Sequence, residues 1–378
     1  MRITQKNIAK DLGVSFMTVS RVFNNSGYVS PELRRRILDY ATEKGYKPHR
    51  ASQVLVRNTV RNLAVFSSAT PEYFWNDVGK GVLQAAEHVM FFNYEVRYHR
   101  IPDFDTERYC SLLSREIKNG LDAAAFVCQD IYDMDRIIAI AERANVPYIL
   151  YNVDAPHTGR LCYIGSNYGA GGRLAANFIG KALGLKQNGR VLAIGFTRRD
   201  SRFSAMQNIN SQRLDGFLSV MNGHFPDVSC TVEYVDCAPA NESSTDASSA
   251  DSIRAEAERQ IMDILERHGD KTDAVYFIPA FNDSYHRALE RFGRRGLITL
   301  QHDIDDSAVE CLNSGLLTAV VFQDPVLQGY TVVRTMESIL ESKNTGRGKD
   351  TEIAHNLVFR ENIDFLGNHR LMPESTEG

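Results

Sequence analysis

Apolar and polar positions in the first 45 residues follow the spacing of three short helices. Thr4 can cap a first helix, and Gly13 follows it where a helix commonly ends in the left-handed conformation. Ser15 can cap a second helix, and Ser30 followed by proline can begin a third. The apolar residues expected to face one another between the first two helices are Ile8, Leu12, Val19, Val22 and Phe23. Two helices joined by a glycine-containing turn form a helix-turn-helix, and the third completes a small all-α core.

From residue 62 onward, apolar runs of strand length alternate with longer segments of helical periodicity. The predicted strands cover residues 63–67, 94–100, 123–128, 147–152, 190–196, 231–236, 274–279, 297–303 and 317–323. The predicted helices between them include residues 76–91, 105–118, 167–183 and 212–221. This alternation predicts an α/β body with doubly wound parallel sheets, and so many strands favour two sheets. The serine-rich acidic stretch 239–252 is predicted to be a flexible surface insertion.

Composition excludes several classes of protein. The 378 residues suffice for two or three domains, and 43% hydrophobic with 24% charged residues is ordinary for a soluble protein. No apolar run approaches the roughly 20 residues of a membrane span. The first residues show no secretory signal, so we expect the protein to stay in the cytoplasm. The six cysteines form no C-x-x-C pair, which favours free, mostly buried thiols over a metal or redox site.

The net charge of −4 hides an asymmetry between the two parts of the chain. The first 60 residues carry eleven lysines and arginines against four acidic residues, which gives +7 there and −11 for the remainder. A small basic segment on an acidic body predicts that this segment alone meets a polyanion. Nucleic acid is the obvious candidate.

The N-terminal segment carries a specific motif in addition to its charge. The run IAKDLGVSFMTVSRVFNNSGYVSPELRRRILDYATEKGYKPHRASQVL, with V-S-x-x-T-V-S-R-V-x-N inside it, resembles the DNA-binding head of the lactose-repressor/galactose-repressor family of bacterial regulators. The resemblance implies a head over residues 1–48 and a hinge helix with linker over residues 49–60. The alternative for the head is an amphipathic three-helix bundle with a solvated basic face. The alternative for the hinge is an ordinary interdomain linker.

The resemblance assigns DNA contacts residue by residue. Base-reading positions are Phe16, Met17 and Arg21. Arg21 can form a bidentate contact with guanine, whereas the other two suit thymine methyl groups and leave the operator sequence open. Phosphate-contacting positions are Ser15, Thr18, Asn24, Tyr28 and Ser30, although Ser15 also serves as a helix cap. In the hinge, Leu55 matches the residue that wedges into the minor groove, and Ser52 stands where many relatives have alanine.

The body resembles the sugar-binding-protein fold of the periplasmic type I class. The matching stretches are FWNDVGKGVLQAAE, IGSNYGAGGRLAANFI, SQRLDGFLSVM, FNDSYHRALERFG and LTAVVFQDPVLQGYTVVRTM. The resemblance implies a two-lobed body over residues 61–366 whose chain crosses between lobes near residues 187, 303 and 323. The lobes are then expected to be residues 61–187 with 324–346 and residues 188–323 with 347–366, followed by a tail at 367–378.

Candidate effector contacts follow the predicted strands, since ligands of doubly wound folds lie outside the carboxyl ends of strands. Phe74 and Trp75 are expected to stack on a sugar at the cleft mouth, the alternative being that Trp75 packs as ordinary core. Arg213 stands where the family places a ligand-binding arginine. The polar candidates are Asn282, Asp283, Asp303 and Gln323, with Asp130 and Asn152 as weaker ones. For each of these the alternative is a helix cap or a turn.

The resemblance implies a homodimer whose two heads bind a near-palindromic, double-stranded operator. A small-molecule effector, for which a carbohydrate is favoured, would shift the lobes and with them the pairing of the hinge helices. Repression is the expected sign of control, while activation and a purine, phosphosugar or sugar-acid effector remain alternatives. The tail has no leucine heptad, so dimers are expected rather than coiled-coil tetramers.

Other classes of protein fit the sequence less well. The solute-binding component of a sugar transporter would share the body but would have no use for a helix-turn-helix. The GAGGR run at residues 169–173 fails the G-x-G-x-x-G/A pattern of a dinucleotide site. His302 beside Asp303 lacks a nucleophile elbow or metal-ligand spacing. We therefore expect no enzyme, no catalytic residues, no cofactor and no metal.

Overall fold

Three capped helices form the N-terminal head in the computed structural model, which describes residues 3–24, 29–44, 59–184, 188–197, 204–236, 247–279, 282–342 and 348–364. They are α1 (Gln5–Leu12), α2 (Phe16–Asn24) and α3 (Pro31–Glu43). Thr4 caps α1 in a capping box with Asn7, and Gly13 ends that helix at φ 67°. Ser15 Oγ accepts a hydrogen bond from the Thr18 amide at 3.0 Å, and Ser30 Oγ accepts one from the Leu33 amide at 3.4 Å. The helices begin where the sequence predicts them.

Apolar faces of the three helices meet in one small core. Its buried members are Ile8, Ala9, Val19, Val22, Ile37 and Ala41. The side chain of Phe23, which the sequence also predicts to face inward, lies outside the described residues. Because Val19 and Val22 are buried, the residues on the opposite side of α2 face solvent.

The described residues of the body form two six-stranded sheets. Its strands are β1 (Arg61–Ser68), β2 (Tyr94–Ile101), β3 (Leu121–Phe126), β4 (Tyr148–Tyr151), β5 (Tyr163–Gly165), β6 (Arg190–Thr197), β7 (Ser229–Asp236), β8 (Ala274–Phe277), β9 (Ile298–His302), β10 (Ala319–Phe322), β11 (Thr351–Glu352) and β12 (Asn356–Val358). The first sheet has the order β11-β5-β4-β3-β1-β2, and the second has the order β12-β10-β9-β8-β6-β7. We call the parts of the body built on them the first and second lobes.

Nine α-helices of the body are described. They are α4 (Glu72–Met90), α5 (Thr106–Lys118), α6 (Met134–Arg143), α7 (Tyr168–Leu183), α8 (Ser204–His224), α9 (Ala247–His268), α10 (Asn282–Phe292), α11 (Asp306–Ser314) and α12 (Pro325–Glu341). Short 3-10 helices follow at Gly269–Lys271 and Arg360–Asn362. Among the helices that the structure describes, none combines the length and apolarity needed to cross a bilayer.

Strand β6 shows how the second sheet is buried. Leu192 and Ile194 enter the core on one face of the sheet, while Val191 and Ala193 enter the core on the other. Successive side chains of a strand point to opposite faces, so a strand covered by helices on both sides reads as a continuous apolar run. The run RVLAIGF at residues 190–196 is therefore recognisable in the sequence as a buried strand.

All nine predicted strands are present within a few residues of their expected limits. The sequence missed β5, β11 and β12, which are only two or three residues long and therefore show no periodicity. The predicted insertion at 239–252 is wrong in its last part, because residues from Ala247 onward form α9. Residues 239–246 lie outside the described part of the chain.

The final crossing between the lobes differs from the expectation. The sequence assigned all of residues 347–366 to the second lobe, but Thr351 and Glu352 pair in parallel with Ile164 and Gly165 of the first sheet. Only β12 belongs to the second sheet, where Val358 pairs antiparallel with Val320. The chain therefore crosses between β11 and β12. A strand of two residues is too short to be specified by its own sequence, so the sheet edge beside it determines where it pairs.

The crossing expected near residue 187 comes earlier, between β5 and α7, because Ala175, Ala176 and Ile179 of α7 enter the core of the second sheet. The crossing expected near residue 303 is wrong, because β9 and β10 are neighbours in the second sheet.

Glycines bring helix backbones into direct contact in both lobes. A Cβ atom added at Gly172 of α7 would lie 1.9 Å from the Arg213 carbonyl oxygen of α8, and one at Gly216 would lie 2.2 Å from the Gly169 carbonyl oxygen. In the first lobe, Cβ atoms at Gly81 and Gly329 would meet carbonyl oxygens of α12 and α4 at 1.9 and 2.0 Å. The GAGGR run thus serves helix packing.

Replacing Gly172 should test this packing. Gly172→Ala should lower the free energy of unfolding by about 1 to 3 kcal/mol, because a methyl group has no room against the α8 backbone. The matched control is Gly223→Ala in α8, where an added Cβ has no neighbour within 4 Å, so stability should stay the same or rise by up to about 1 kcal/mol. Urea unfolding of both variants makes the comparison, and equal stability for the two would contradict it.

Candidate functional site

The outer face of α2 carries three exposed side chains, two of them large and apolar. Phe16 is 47% exposed and Met17 is 63% exposed, and Arg21 is also exposed one turn further along. The three lie opposite the buried Val19 and Val22. An apolar pair beside a guanidinium at the beginning of a helix matches the side chains that enter a major groove.

The phosphate-contact candidates stand mostly at helix caps. Ser15 and Thr18 are joined through their hydroxyl oxygens at 2.8 Å at the start of α2, and Ser30 caps α3. A cap hydroxyl and the amides beside it are suited to an anion, so capping and phosphate binding are compatible. Asn24 ends α2, but its side chain lies outside the described residues, as do Tyr28, Ser52 and Leu55.

A cleft of about 1210 Å³ lies between the two lobes of the body. Its lining on the first lobe includes Thr70, Tyr73 and Asn76, from the segment that connects β1 to α4 and from the start of that helix. Its lining on the second lobe includes Asp283 at the start of α10 and Asp305 and Ser307 at the start of α11. These segments follow the carboxyl ends of strands, where doubly wound folds bind ligands.

Three buried polar side chains from different elements meet near this cleft. Arg213 of α8 is 3% exposed, and its Nη2 lies 3.6 Å from Oδ2 of Asp303, which follows β9 and is 6% exposed. Arg213 Nη1 also donates to the Ile278 carbonyl oxygen at 3.0 Å. Gln323, which follows β10, donates from Nε2 to Asp303 Oδ1 at 2.8 Å. We call Arg213, Asp303 and Gln323 the polar triad.

Burial decides the electrostatics of the polar triad. It raises the pKa of the Asp303 carboxyl group above its ordinary value, while Arg213 and Gln323 act in the opposite direction by stabilising the carboxylate. Burial also raises the pKa of Tyr73 far above its ordinary value, and the charges of Asp303 and Asp305 add to that effect. Tyr73 therefore lies within electrostatic reach of the polar triad although it belongs to the first lobe.

Several buried polar atoms around the cleft have no hydrogen-bond partner among the described residues. They are the Tyr73 hydroxyl, Arg100 Nε, Arg213 Nε and Gln323 Oε1. An unpaired buried polar group costs about 1 to 3 kcal/mol, so a folded protein keeps few of them unless they serve a purpose. Their concentration at one edge of the second sheet and the facing segment of the first lobe is typical of a site for a polar ligand.

His302 and His355 lie beside the polar triad. His302 Nε2 and the Tyr276 hydroxyl are 2.7 Å apart, and the two histidine ring centroids are 6.5 Å apart. Burial, with a smaller contribution from Arg213, lowers the pKa of His355 to about 4 and that of His302 well below its usual range. His302 bonds to Tyr276, whereas its neighbour in sequence, Asp303, bonds to Gln323.

The structure corrects the aromatic part of the predicted site. Trp75 is 1% exposed, its Nε1 donates to the Thr70 carbonyl oxygen at 3.0 Å, and its ring lies edge-on to Tyr151. Phe74 packs edge-on against Trp75 and is also buried. Neither residue lines the cleft, whereas Tyr73 does. Sequence reasoning missed Tyr73, although the phase of the apolar residues Val78 and Val82 in α4 turns Trp75 inward.

The remaining predicted contacts divide into two groups. Asp283 lines the cleft and accepts a hydrogen bond from Ser307 at 3.3 Å, whereas the side chain of Asn282 lies outside the described residues. Asp130 is exposed and does not line the cleft. Asn152 is buried at φ 60°, and its carbonyl oxygen accepts hydrogen bonds from two tyrosine hydroxyls at 2.6 and 2.7 Å.

Asn152 belongs to a hydrogen-bonded chain that joins the lobes. Its Nδ2 lies 3.4 Å from Oε1 of Gln328 on α12, and Gln328 Nε2 donates to the Gln323 carbonyl oxygen at 3.1 Å. Gln323 in turn bonds to Asp303. The end of β4 in the first sheet is therefore linked to the ends of β9 and β10 in the second.

Comparisons with known proteins agree on both parts of the chain. The family model described as bacterial regulatory proteins, lacI family, matches residues 4–49, and the model described as periplasmic binding protein domain matches residues 63–344. The HTH-type transcriptional regulator DegA of Bacillus subtilis is 26% identical over 41% of this chain and 45% of its own length. The regulator GalS of Salmonella typhimurium is 32% identical over 32% of this chain and 35% of its own length. The matched stretches thus span less than half of these relatives.

Solved structures show the same fold for the body. A Bacteroides fragilis protein assigned as a LacI transcriptional regulator has a TM-score of 0.64 and 18% identity, covering 81% of this chain and 99% of that one. A solute-binding protein of an ABC transporter from Burkholderia graminis has a TM-score of 0.62 and 18% identity, covering 80% and 96%.

The buried histidines predict how stability depends on pH. The unfolded chain protonates His355 near pH 6.5, but the folded body resists this until about pH 4, so the unfolding free energy should fall as the pH decreases between these values. His355 alone would account for about 3 kcal/mol of that fall. His355→Gln should make the unfolding free energy depend less on pH, and the dependence that remains would come from His302. The control is His157→Gln in an exposed loop, and an unchanged slope in His355→Gln would contradict the expectation.

Proposed function

We propose that this chain, which belongs to the lacI family of bacterial regulatory proteins and carries a periplasmic binding protein domain as its body, regulates transcription by binding operator DNA. The observation that carries the proposal is the outer face of α2, where Phe16, Met17 and Arg21 are exposed on a helix-turn-helix whose core is complete without them. The +7 charge of the first 60 residues supports attraction to phosphates.

In this proposal the base contacts come from α2 and the phosphate contacts from the caps. Arg21 reads guanine, and Phe16 and Met17 meet thymine methyl groups. Ser15, Thr18 and Ser30 hold phosphates together with Asn24 and Tyr28. Residues 49–60 act as the hinge, in which Leu55 enters the minor groove beside Ser52.

The working unit of the proposal is a homodimer on a near-palindromic operator. A head that reads one half-site needs a second copy held about one helical turn of DNA away. The head covers residues 1–48 and the body residues 61–366, with the first lobe boundary moved to lie between β5 and α7 and the last one between β11 and β12. The protein works in the cytoplasm, has no enzymatic role and acts as a repressor, with activation as the alternative sign.

The proposed control is a small effector bound between the lobes. The polar triad and the Tyr73 hydroxyl supply polar groups from both lobes, which suits the hydroxyl groups of a sugar. A purine, a phosphosugar or a sugar acid is the alternative. The helix-turn-helix argues against a transport protein. The hydrogen-bonded chain of Asn152, Gln328 and Gln323 joins the two lobes. A ligand that draws Tyr73 toward the polar triad therefore moves the lobes together, and this movement changes the spacing of the two heads of the dimer.

Arg21 gives the direct test of DNA recognition. Arg21→Ala should weaken binding to the operator by about 1 to 3 kcal/mol and weaken binding to random DNA much less, since it removes a base contact. Selection of the operator from random duplexes, followed by titrations at several salt concentrations, provides the measurement. Arg36→Ala on the exposed side of α3 is the control and should lower both affinities by the same small factor. Equal losses on both DNAs for Arg21→Ala would remove it from base reading.

Tyr73 gives the test of the effector cleft. Tyr73→Phe removes only the hydroxyl group, so effector affinity measured by calorimetry should fall by about ten-fold while the fold is kept. By linkage, the effector's influence on operator affinity should weaken in parallel. Tyr234→Phe, at an exposed position of β7, is the control. An effector that binds both variants as it binds the parent would exclude Tyr73 from the site.

A further inference from the structure

We infer that the interlobe cleft selects its effector by charge, accepting a neutral or cationic polyol such as a sugar or amino sugar and excluding sugar acids and phosphosugars. The inference rests on the proposed function and narrows the ligand class of the same site. It depends on the distribution of carboxylates around the cleft and on how the cations there are already engaged.

Carboxylates dominate the lining of the cleft. On the second lobe they are Asp283, Asp305, Asp306, Glu310 and Asp364. On the first lobe they are Glu72 and Asp77. The cations of the lining are Lys80, Arg100 and Arg254. Seven carboxylates against three cations leave an excess of four negative charges on the walls, all of it on the second lobe. A cleft lined by one sign of charge concentrates ligands of the opposite sign and repels those of its own.

The two cations of the first lobe are held by that lobe. Lys80 Nζ lies 2.6 Å from Asp77 Oδ1. Arg100 donates from Nη1 to Asn76 Oδ1 at 2.6 Å and from Nη2 to the Ala69 carbonyl oxygen at 2.8 Å, with Glu72 at 3.8 Å. An anion brought to either residue would meet the carboxylate already beside it, Asp77 at Lys80 and Glu72 at Arg100.

The buried guanidinium of the polar triad supplies no net positive charge. Arg213 is paired with Asp303 at 3.6 Å, and both are almost fully enclosed. An anion brought to Arg213 would face the Asp303 carboxylate and the carboxylate of Asp305 two residues later. A buried charge pair that is neutral as a whole tolerates a neutral ligand better than an additional anion.

The unpaired acceptor of the site suits a ligand that donates hydrogen bonds. The donors left unpaired among the described residues, Arg100 Nε and Arg213 Nε, suit a hydroxyl oxygen, which accepts as well as donates. Gln323 is almost fully buried and leaves Oε1, an acceptor, without a partner among the described residues. The Tyr73 hydroxyl can donate or accept, and the cleft carboxylates accept only. Hydroxyl and ammonium groups donate to such acceptors, whereas carboxylate and phosphate oxygens do not. Geometry and charge therefore favour the same class of ligand.

Matched ligands on one sugar ring test the inference. The full chain is titrated by calorimetry at low salt with glucose, glucosamine, glucuronate and glucose 6-phosphate, and with the same four forms of galactose, mannose and ribose where they exist. For the ring that binds, the neutral or amino form should bind at least ten-fold more tightly than the acid and the phosphate. An acid or phosphate that binds as tightly as its neutral form, or more tightly, overturns the inference.

Two carboxylates on α11 serve to test the cause of the selectivity. Asp306 and Glu310 are exposed and line the cleft, so the double variant Asp306→Asn with Glu310→Gln should fold normally. It should reduce the discrimination against the anionic forms several-fold and weaken its salt dependence. Asp227→Asn, exposed and outside the cleft lining, is the control and should change nothing. Unchanged discrimination in the double variant overturns the charge mechanism.

The proposed function and this inference fail in distinguishable ways. If no ring binds in any charge form, the sugar effector itself is wrong and the inference falls with it. If an anionic form binds and alters operator affinity, the regulator is retained and only the charge selectivity is overturned.

Discussion

The ion pair between Arg213 and Asp303 is the interaction on which the base of the cleft depends. Both groups are removed from water, and a charge in that position is tolerated only when it is paired and hydrogen-bonded. The hydrogen bonds to the Ile278 carbonyl oxygen and from Gln323 supply the rest of that requirement. Because these partners follow β8, β9 and β10, the pair holds together the carboxyl edge of the second sheet. The same pairing means that Arg213 adds no net positive charge to the base of the cleft.

Helix packing and the polar connection between the lobes support this edge from two sides. The contact of α7 with α8, made possible by Gly172 and Gly216, fixes the backbone from which Arg213 projects. On the other side, Gln328 of α12 connects the Gln323 backbone to Asn152 in the first lobe. A ligand that contacts Tyr73 and the polar triad would therefore engage both lobes at a point where they are already joined. In the proposed function, an effector would act on both lobes at this point.

Misassigned residues show where pattern reasoning stops. Trp75 was predicted to stack on a sugar because aromatic side chains are common in carbohydrate sites, but its helical phase with Val78 and Val82 places it in the core. Tyr73, two positions earlier, was not a predicted contact, yet it lines the cleft. Asn152 was a candidate because it follows a strand, and it does lie at that edge, but its contacts are to the protein itself. A strand end predicts the neighbourhood of a site, and the direction of a side chain depends on the element that follows.

The sequence by itself determined the head, the alternation of strands and helices, and the positions of Asp303 and Gln323 at strand ends. Caps, apolar periodicity and continuous apolar runs are local signals, so they can be read without a structure. Only the tertiary structure decided that β11 joins the first sheet, that Arg213 is neutralised by Asp303, and that Tyr73 replaces Trp75 at the cleft. These features arise between residues far apart in the chain, where pairing, burial and charge depend on which surfaces the fold brings together.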